Sequence, residues 1–149
     1  MADPTWAPSL EQVADHIPTR TRNASTPGDT SLLGTFTAQT EPTDEQARRH
    51  ISAACSEVLG AVGGSIPDSP AFLARLAGEV AALRAAADIE LAYPNRDADV
   101  SVYEQLTARA DAALQRLVDA VNDAGAGPEG GLLPQYAFPE PVWYGDYPL

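Results

Sequence analysis

Apolar residues recur at helical spacing through most of the chain, and the spacing breaks at prolines and glycines. The earliest group is Leu10, Val13, Ala14 and Ile17, preceded by Ser9 with Gln12 three residues on, a capping box. Pro18 closes it, because the residue before a proline is pushed out of the α region. A piece this short is not stable alone and must pack on something. The second group is Ala47, Ile51, Ala54, Cys55, Val58, Leu59 and Val62, a continuous stripe. Thr43 with Gln46 caps it, Asp44 and Glu45 suit its N-terminal dipole, and Gly63-Gly64 stops it.

A third stripe runs through Phe72, Leu73, Leu76, Val80, Leu83, Ala87 and Leu91, with Ser69 as expected cap, Pro70 at the first position and Tyr93-Pro94 at the end. The fourth begins between Asp99 and Ser101, with Ser101 and Glu104 as a further capping box. It carries Tyr103, Leu106, Ala110, Ala113, Leu114, Leu117 and Val121 and ends at Gly125. The links at 63–68 and 94–100 are short, which makes consecutive helices antiparallel neighbours. The pattern predicts an all-α fold: a small antiparallel bundle of about four helices, with the first lying across it or capping an end.

Two stretches do not fit a bundle. Residues 18–42, "PTRTRNASTPGDTSLLGTFTAQTEP", form a polar loop longer than the usual connection. Leu32, Leu33 and Phe36 within it could anchor a short strand or pin the loop to the core. Residues 126–149 hold five prolines and four glycines, which rules out a regular helix. Yet Tyr136, Phe138, Trp143, Tyr144 and Tyr147 cluster there, whereas linkers are poor in aromatics. We read 1–125 as a helical domain carrying the 18–42 arm, and 126–149 as an extended docking tail. Aromatic anchors dominate interface energetics, and extended peptides bind along sheet edges or in grooves.

Charge narrows the classes of function. The 149-residue chain has a net charge of −12, and its nine basic residues are all arginine. That balance opposes a nucleic-acid grip and attachment to an anionic membrane. No apolar run is long enough to span a bilayer, and "MADPTWAPS" lacks the basic and apolar regions of a signal peptide. The single cysteine, Cys55, cannot form an internal disulfide and sits within an apolar stripe, the place of a core thiol rather than a nucleophile.

Candidate chemistry is sparse. His16 and His50 have no ligand cluster at metal spacing beside them. Gly60, Gly63 and Gly64 follow a helix, not a strand, and so fail the context of a phosphate loop. Arg48-Arg49-His50 reads as a solvated face, and Asn23-Ala24-Ser25 as a chance sequon. No pair of carboxylates is placed for acid–base work. No catalytic, cofactor-binding or metal-ligating residue is assigned, and the chain reads as a component of an assembly.

The segments "VADHIPTRTR" (13–22), "GTFTAQTEPTDEQ" (34–46), "AADIELAYP" (86–94) and "YEQLTARADAALQRLV" (103–118), in this order and spacing, resemble the head-to-tail adaptor, or connector, proteins of long-tailed double-stranded DNA phages of actinobacteria. The resemblance covers roughly residues 9–122. It implies a non-enzymatic virion protein of the neck, made in the host cytoplasm, forming a homo-oligomeric ring, commonly twelve-fold. Such a ring joins the portal protein to the stopper or tail terminator, and DNA passes through it without sequence-specific binding. The tail aromatics Tyr136, Phe138, Trp143, Tyr144 and Tyr147 are then expected to dock on the portal. Leu33, Thr35, Phe36 and Thr37 of the arm are expected to make an intersubunit or axial contact, and the acidic surface is expected to line the lumen. The other class that fits is a small cytosolic helical regulator or assembly factor that binds one protein partner through its tail.

Overall fold

The structure is a computed structural model that describes residues 3–67, 70–93 and 100–125. The elements are α1 (Leu10–His16), a single 3₁₀ turn (Pro18–Thr21), α2 (Asp44–Ala61), α3 (Phe72–Ala92) and α4 (Val100–Gly125). Among the described residues there is no strand, only an isolated antiparallel bridge between Arg22 and Leu32. The chain is an all-α bundle, as its periodicity predicts.

The helix ends follow the side chains that can satisfy them. Ser9 accepts from the Gln12 N–H while the Gln12 side chain accepts from the Ser9 N–H, at 3.2 and 2.8 Å, and Thr43 and Gln46 repeat this reciprocal cap at α2. At the other end of α2, the Gly64 N–H donates to the Leu59 carbonyl at 2.7 Å and the Gly63 N–H to that of Gly60 at 3.4 Å. Both glycines have positive φ, +86° and +100°, so this is a Schellman stop that a side chain would strain. One expected start shifts: α3 opens at Phe72 behind Ala71, with no side-chain cap, and the Leu73 N–H turns back to the Pro70 carbonyl at 3.0 Å. α4 opens at Val100, between Asp99 and Ser101 as expected, with Ser101, the expected cap, inside its first turn.

α3 is the central helix. It packs against α4, α2 and α1, whereas α2 and α4 touch each other only lightly. Two cross-links fix its direction against α2: His50 meets Tyr93 edge-on at 6.1 Å, and Glu57 reaches Arg84 at 3.4 Å. Residue numbers rise along α2 as they fall along α3, so the two are antiparallel. Arg84 also bonds Asp111 of α4 at 2.7 Å, the register expected when the chain reverses between Tyr93 and Val100. One guanidinium thus ties three helices together.

The core differs from the predicted stripe of α3 in an instructive way. Phe72 and Leu91, at its two ends, are 46% and 62% exposed, while Ala77, Ala81, Ala82, Ala85, Ala86 and Ala87 are buried. Small side chains let neighbours close in from several sides at once, so α3 is buried around most of its circumference. α4 behaves as an outer helix, burying Leu106, Ala110, Ala113 and Leu117 along one stripe.

Candidate interaction surface

The arm between α1 and α2 is held at its root by a buried ion pair. Arg20, in the 3₁₀ turn, is 5% exposed, and its guanidinium grips Glu90 of α3 through Nε at 2.9 Å and a terminal nitrogen at 2.5 Å. This fork-to-fork geometry is the strongest form of charge-assisted hydrogen bond. Thr21 beside it is fully buried, and its hydroxyl donates to the Pro18 carbonyl at 2.8 Å. The arm then doubles back: the Leu33 N–H donates to the Thr21 carbonyl at 2.9 Å and the Asn23 N–H to that of Ser31 at 3.4 Å.

Side chains stiffen this hairpin-like excursion. Asp29 accepts from the Ser31 N–H at 2.8 Å and from the Asn23 amide at 3.2 Å. The Ser31 hydroxyl first, then the Ser31 N–H and the Asn23 amide, hold the Asp29 carboxyl below its usual range. The Asn23 carbonyl accepts from both the N–H and the hydroxyl of Ser25. Both ends of the Asn23 amide are therefore engaged within the arm, which gives the sequon asparagine a structural role.

The arm's return leg packs on its own bundle. Phe36 is 2% exposed and belongs to the core, and Thr40 and Pro42 are buried beside it in sequence. The Thr40 hydroxyl bridges the carbonyls of Thr37 and Pro42 at 3.0 and 2.6 Å, and the Thr37 N–H donates to Thr40 Oγ1 at 3.0 Å. Of the arm residues expected to reach a neighbour, Phe36 is thus occupied within its own chain, because its ring fills the space under the return leg. Thr35 and Thr37 are half-buried, and Thr35 Oγ1 is enclosed with no hydrogen-bond partner. Leu33 is 38% exposed and Leu32 54% exposed. The surface the arm offers is this leucine pair, with exposed Arg22 bridged to Leu32.

The arm also differs from the body in charge. Residues 18–42 carry Arg20, Arg22, Asp29 and Glu41, a balance of zero in a chain whose net charge is −12. α4 exposes Glu104, Asp111, Asp119 and Asp123 to solvent.

His50 is half-buried, edge-on to Tyr93, so the face expected of Arg48-Arg49-His50 is solvated only at its arginines. Cys55 is 2% exposed, and burial pushes its thiol up to about 11. His16 is half-buried at the joint of α1 with α3, and its pKa is lowered by burial first and then by the Arg109 guanidinium, against the pull of Asp15 and Glu79. Arg48 and Arg49 are exposed, and Arg49 pairs with Glu45 one turn back at 2.6 Å. Among the described residues, no group of three or more His, Cys, Asp and Glu is placed to hold a metal ion, and no helix is long and apolar enough to cross a membrane. The tail residues Tyr136, Phe138, Trp143, Tyr144 and Tyr147 lie outside the described residues.

Sequence reasoning missed the Arg20–Glu90 pair and the Arg84 clamp. The one local signal was Arg84, set among alanines in "ALRAA"; Glu90 shares "DIELA" with a second carboxylate, Asp88, and carries none. No family model matches the chain, and neither the curated proteins nor the solved structures compared with it include a match.

Proposed function

We propose that this chain is a head-to-tail adaptor subunit of a long-tailed phage neck, forming a ring between the portal and the stopper. The observation that carries the reading is how the resembling segments join. Arg20 lies in the first and Glu90 in the third, seventy positions apart, and they meet as a buried bidentate pair. The arm leaves from this joint and returns to α2 through the second segment, which spans its return leg and the first residues of α2. The resembling stretches are therefore parts of one physical unit: helix, arm and central helix.

The arm supports the same reading. The arm packs its return leg on the bundle yet leaves Leu32 and Leu33, beside its root, exposed to solvent. In a ring it meets the next subunit, with a closed set of identical contacts. The neutral arm laid on an acidic neighbour is also the low-repulsion way to assemble copies of a −12 chain. The aromatic tail would serve the axial contact with the portal, and acidic surface turned to the lumen would let DNA slide.

The test is native mass spectrometry and electron microscopy of the chain alone and mixed with the portal protein encoded beside it. A ring on the portal, lost in Leu32→Asp/Leu33→Asp, is the expected result. Truncation after Gly131 should keep the helicity and lose portal binding. A chain that stays monomeric with the portal present, or a gene with no portal, capsid or tail genes around it, would remove the proposal and favour the single-partner regulator.

A further inference from the structure

The two tryptophans of the chain sit in matching tetrapeptides. Asp3-Pro4-Thr5-Trp6 and Glu140-Pro141-Val142-Trp143 share the order acid, proline, β-branched residue, tryptophan. The first copy is described, and it is seated. Residues 3–8 cross α2 and α3 as a strap, with Trp6 and Ala7 packed against the core and Pro8 buried. The strap is a turn: the Ala7 N–H donates to the Pro4 carbonyl at 2.9 Å. Its closest approach is to α3, where a Cβ on Gly78 would lie 2.8 Å from the Trp6 carbonyl oxygen. Only a glycine admits the strap at that depth. Asp3 lines a cleft that Arg48 and Ile51 of α2 also line.

Two features of this seat read a property that both tetrapeptides have. The turn opens on Pro4 or Pro141, and the core edge takes either indole. Tyr144, at the position of Ala7, keeps the N–H that closes the turn. The chain's own geometry brings the second copy within reach. α4 runs antiparallel to α3, so Gly125 emerges at the end of α3 that holds Gly78. The pairing of Arg84 with Asp111 sets Gly78 level with a position about 12 Å short of Gly125 along the axis. The fifteen residues from Gly125 to Glu140 can extend to about 50 Å. A tethered segment of that length acts at an effective concentration of order millimolar.

We propose that the α2–α3 groove beneath residues 3–8 is a receptor for an acid-Pro-β-branched-Trp segment, and that its second ligand is the chain's own Glu140–Trp143. The strap and the tail exchange in one seat. With the strap in place the tail is free to engage a partner; with the tail seated, it is withheld. That consequence rests on the adaptor reading, whereas the exchange itself is measured in the isolated chain and stands or falls without it.

Trp6→Ala in the full chain vacates the seat and leaves Trp143 as the sole tryptophan. Its fluorescence should shift to the blue, and acrylamide should quench it several-fold less than it quenches a synthetic peptide of residues 136–149. Adding Gly78→Val should return both readings to those of the peptide. The protection should not change over a hundredfold range of protein concentration. Trp6→Phe, which keeps an aromatic ring on the strap and hence the fold, should give protection between the two limits, so a misfolded Trp6→Ala chain would not end the test. Quenching in both variants equal to the free peptide overturns the proposal. So does protection that survives Gly78→Val, or protection that grows with concentration, which would assign the seat to the tail of a second copy.

Discussion

Removing the guanidinium at the root of the arm should cost more than any surface charge in the molecule. Arg20 and Glu90 are 5% and 14% exposed, so Arg20→Ala strands a carboxylate on α3 with little water to replace two charge-assisted bonds. Breaking a buried pair from one side costs about 3–5 kcal/mol, a large share of the roughly 5–15 kcal/mol that holds a domain together. At about 2–4 °C per kcal/mol for a chain of this size, the midpoint should fall by roughly 6–20 °C. Urea and thermal melts followed by circular dichroism at 222 nm read the loss directly. Arg20→Lys should fall between, since an ammonium cannot reproduce the fork. The double variant Arg20→Met/Glu90→Met should recover to within about 1 kcal/mol of the parent, because two apolar side chains need no partner. Arg20→Ala within about 1 kcal/mol of the parent would refute the reasoning, as would a double variant no better than the single one.

Phe36→Ala should cost about 3–5 kcal/mol through the cavity it leaves, whereas Leu32→Ala should lie within about 0.5 kcal/mol of the parent in the isolated chain. Thr43→Ala should cost about 1 kcal/mol in the same melts by unmaking the α2 cap. His16 should make stability fall in mild acid. Its folded pKa is lowered beneath the ordinary 6.5, so the unfolded chain takes up the proton first; the contribution is intact above that pH and declines below it. His16→Gln should flatten this part of a stability–pH profile. Cys55, pushed to about 11, should resist thiol reagents at pH 8 in the native chain and react once urea unfolds it.

The helices were legible because their signals are local. A cap at Ser9 or Thr43 is written within four residues, and a stop at Gly63-Gly64 within two. α2 and α4 each bury one stripe, so a period near 3.6 identifies the buried face directly. α3 resisted the same reading because a helix wrapped by neighbours has no single face, and its alanines count for little in any stripe. The arm's length and its apolar anchors could be read, but the inward role of Phe36 against the outward one of Leu32 could not. Those residues stand four apart in an irregular segment, where no period assigns a side. The Arg20–Glu90 joint was hidden because it links positions seventy apart, and pairing at that separation leaves no local pattern.

The arm's polar composition has a physical reason that bears on what the chain does. Backbone outside helices must find partners elsewhere, and here the side chains of Asn23, Asp29, Thr37 and Thr40 supply them. The same residues that look like disorder in the sequence hold the excursion in one shape. An arm fixed in advance loses less entropy when it meets a partner, so a modest apolar contact at Leu32 and Leu33 can suffice for binding. Asp29→Ala should therefore leave the helical melt nearly unchanged while weakening any association made through the leucine pair. Equal association by the variant and the parent, at matched concentrations in sedimentation velocity, would mean that the stiffness serves the fold alone.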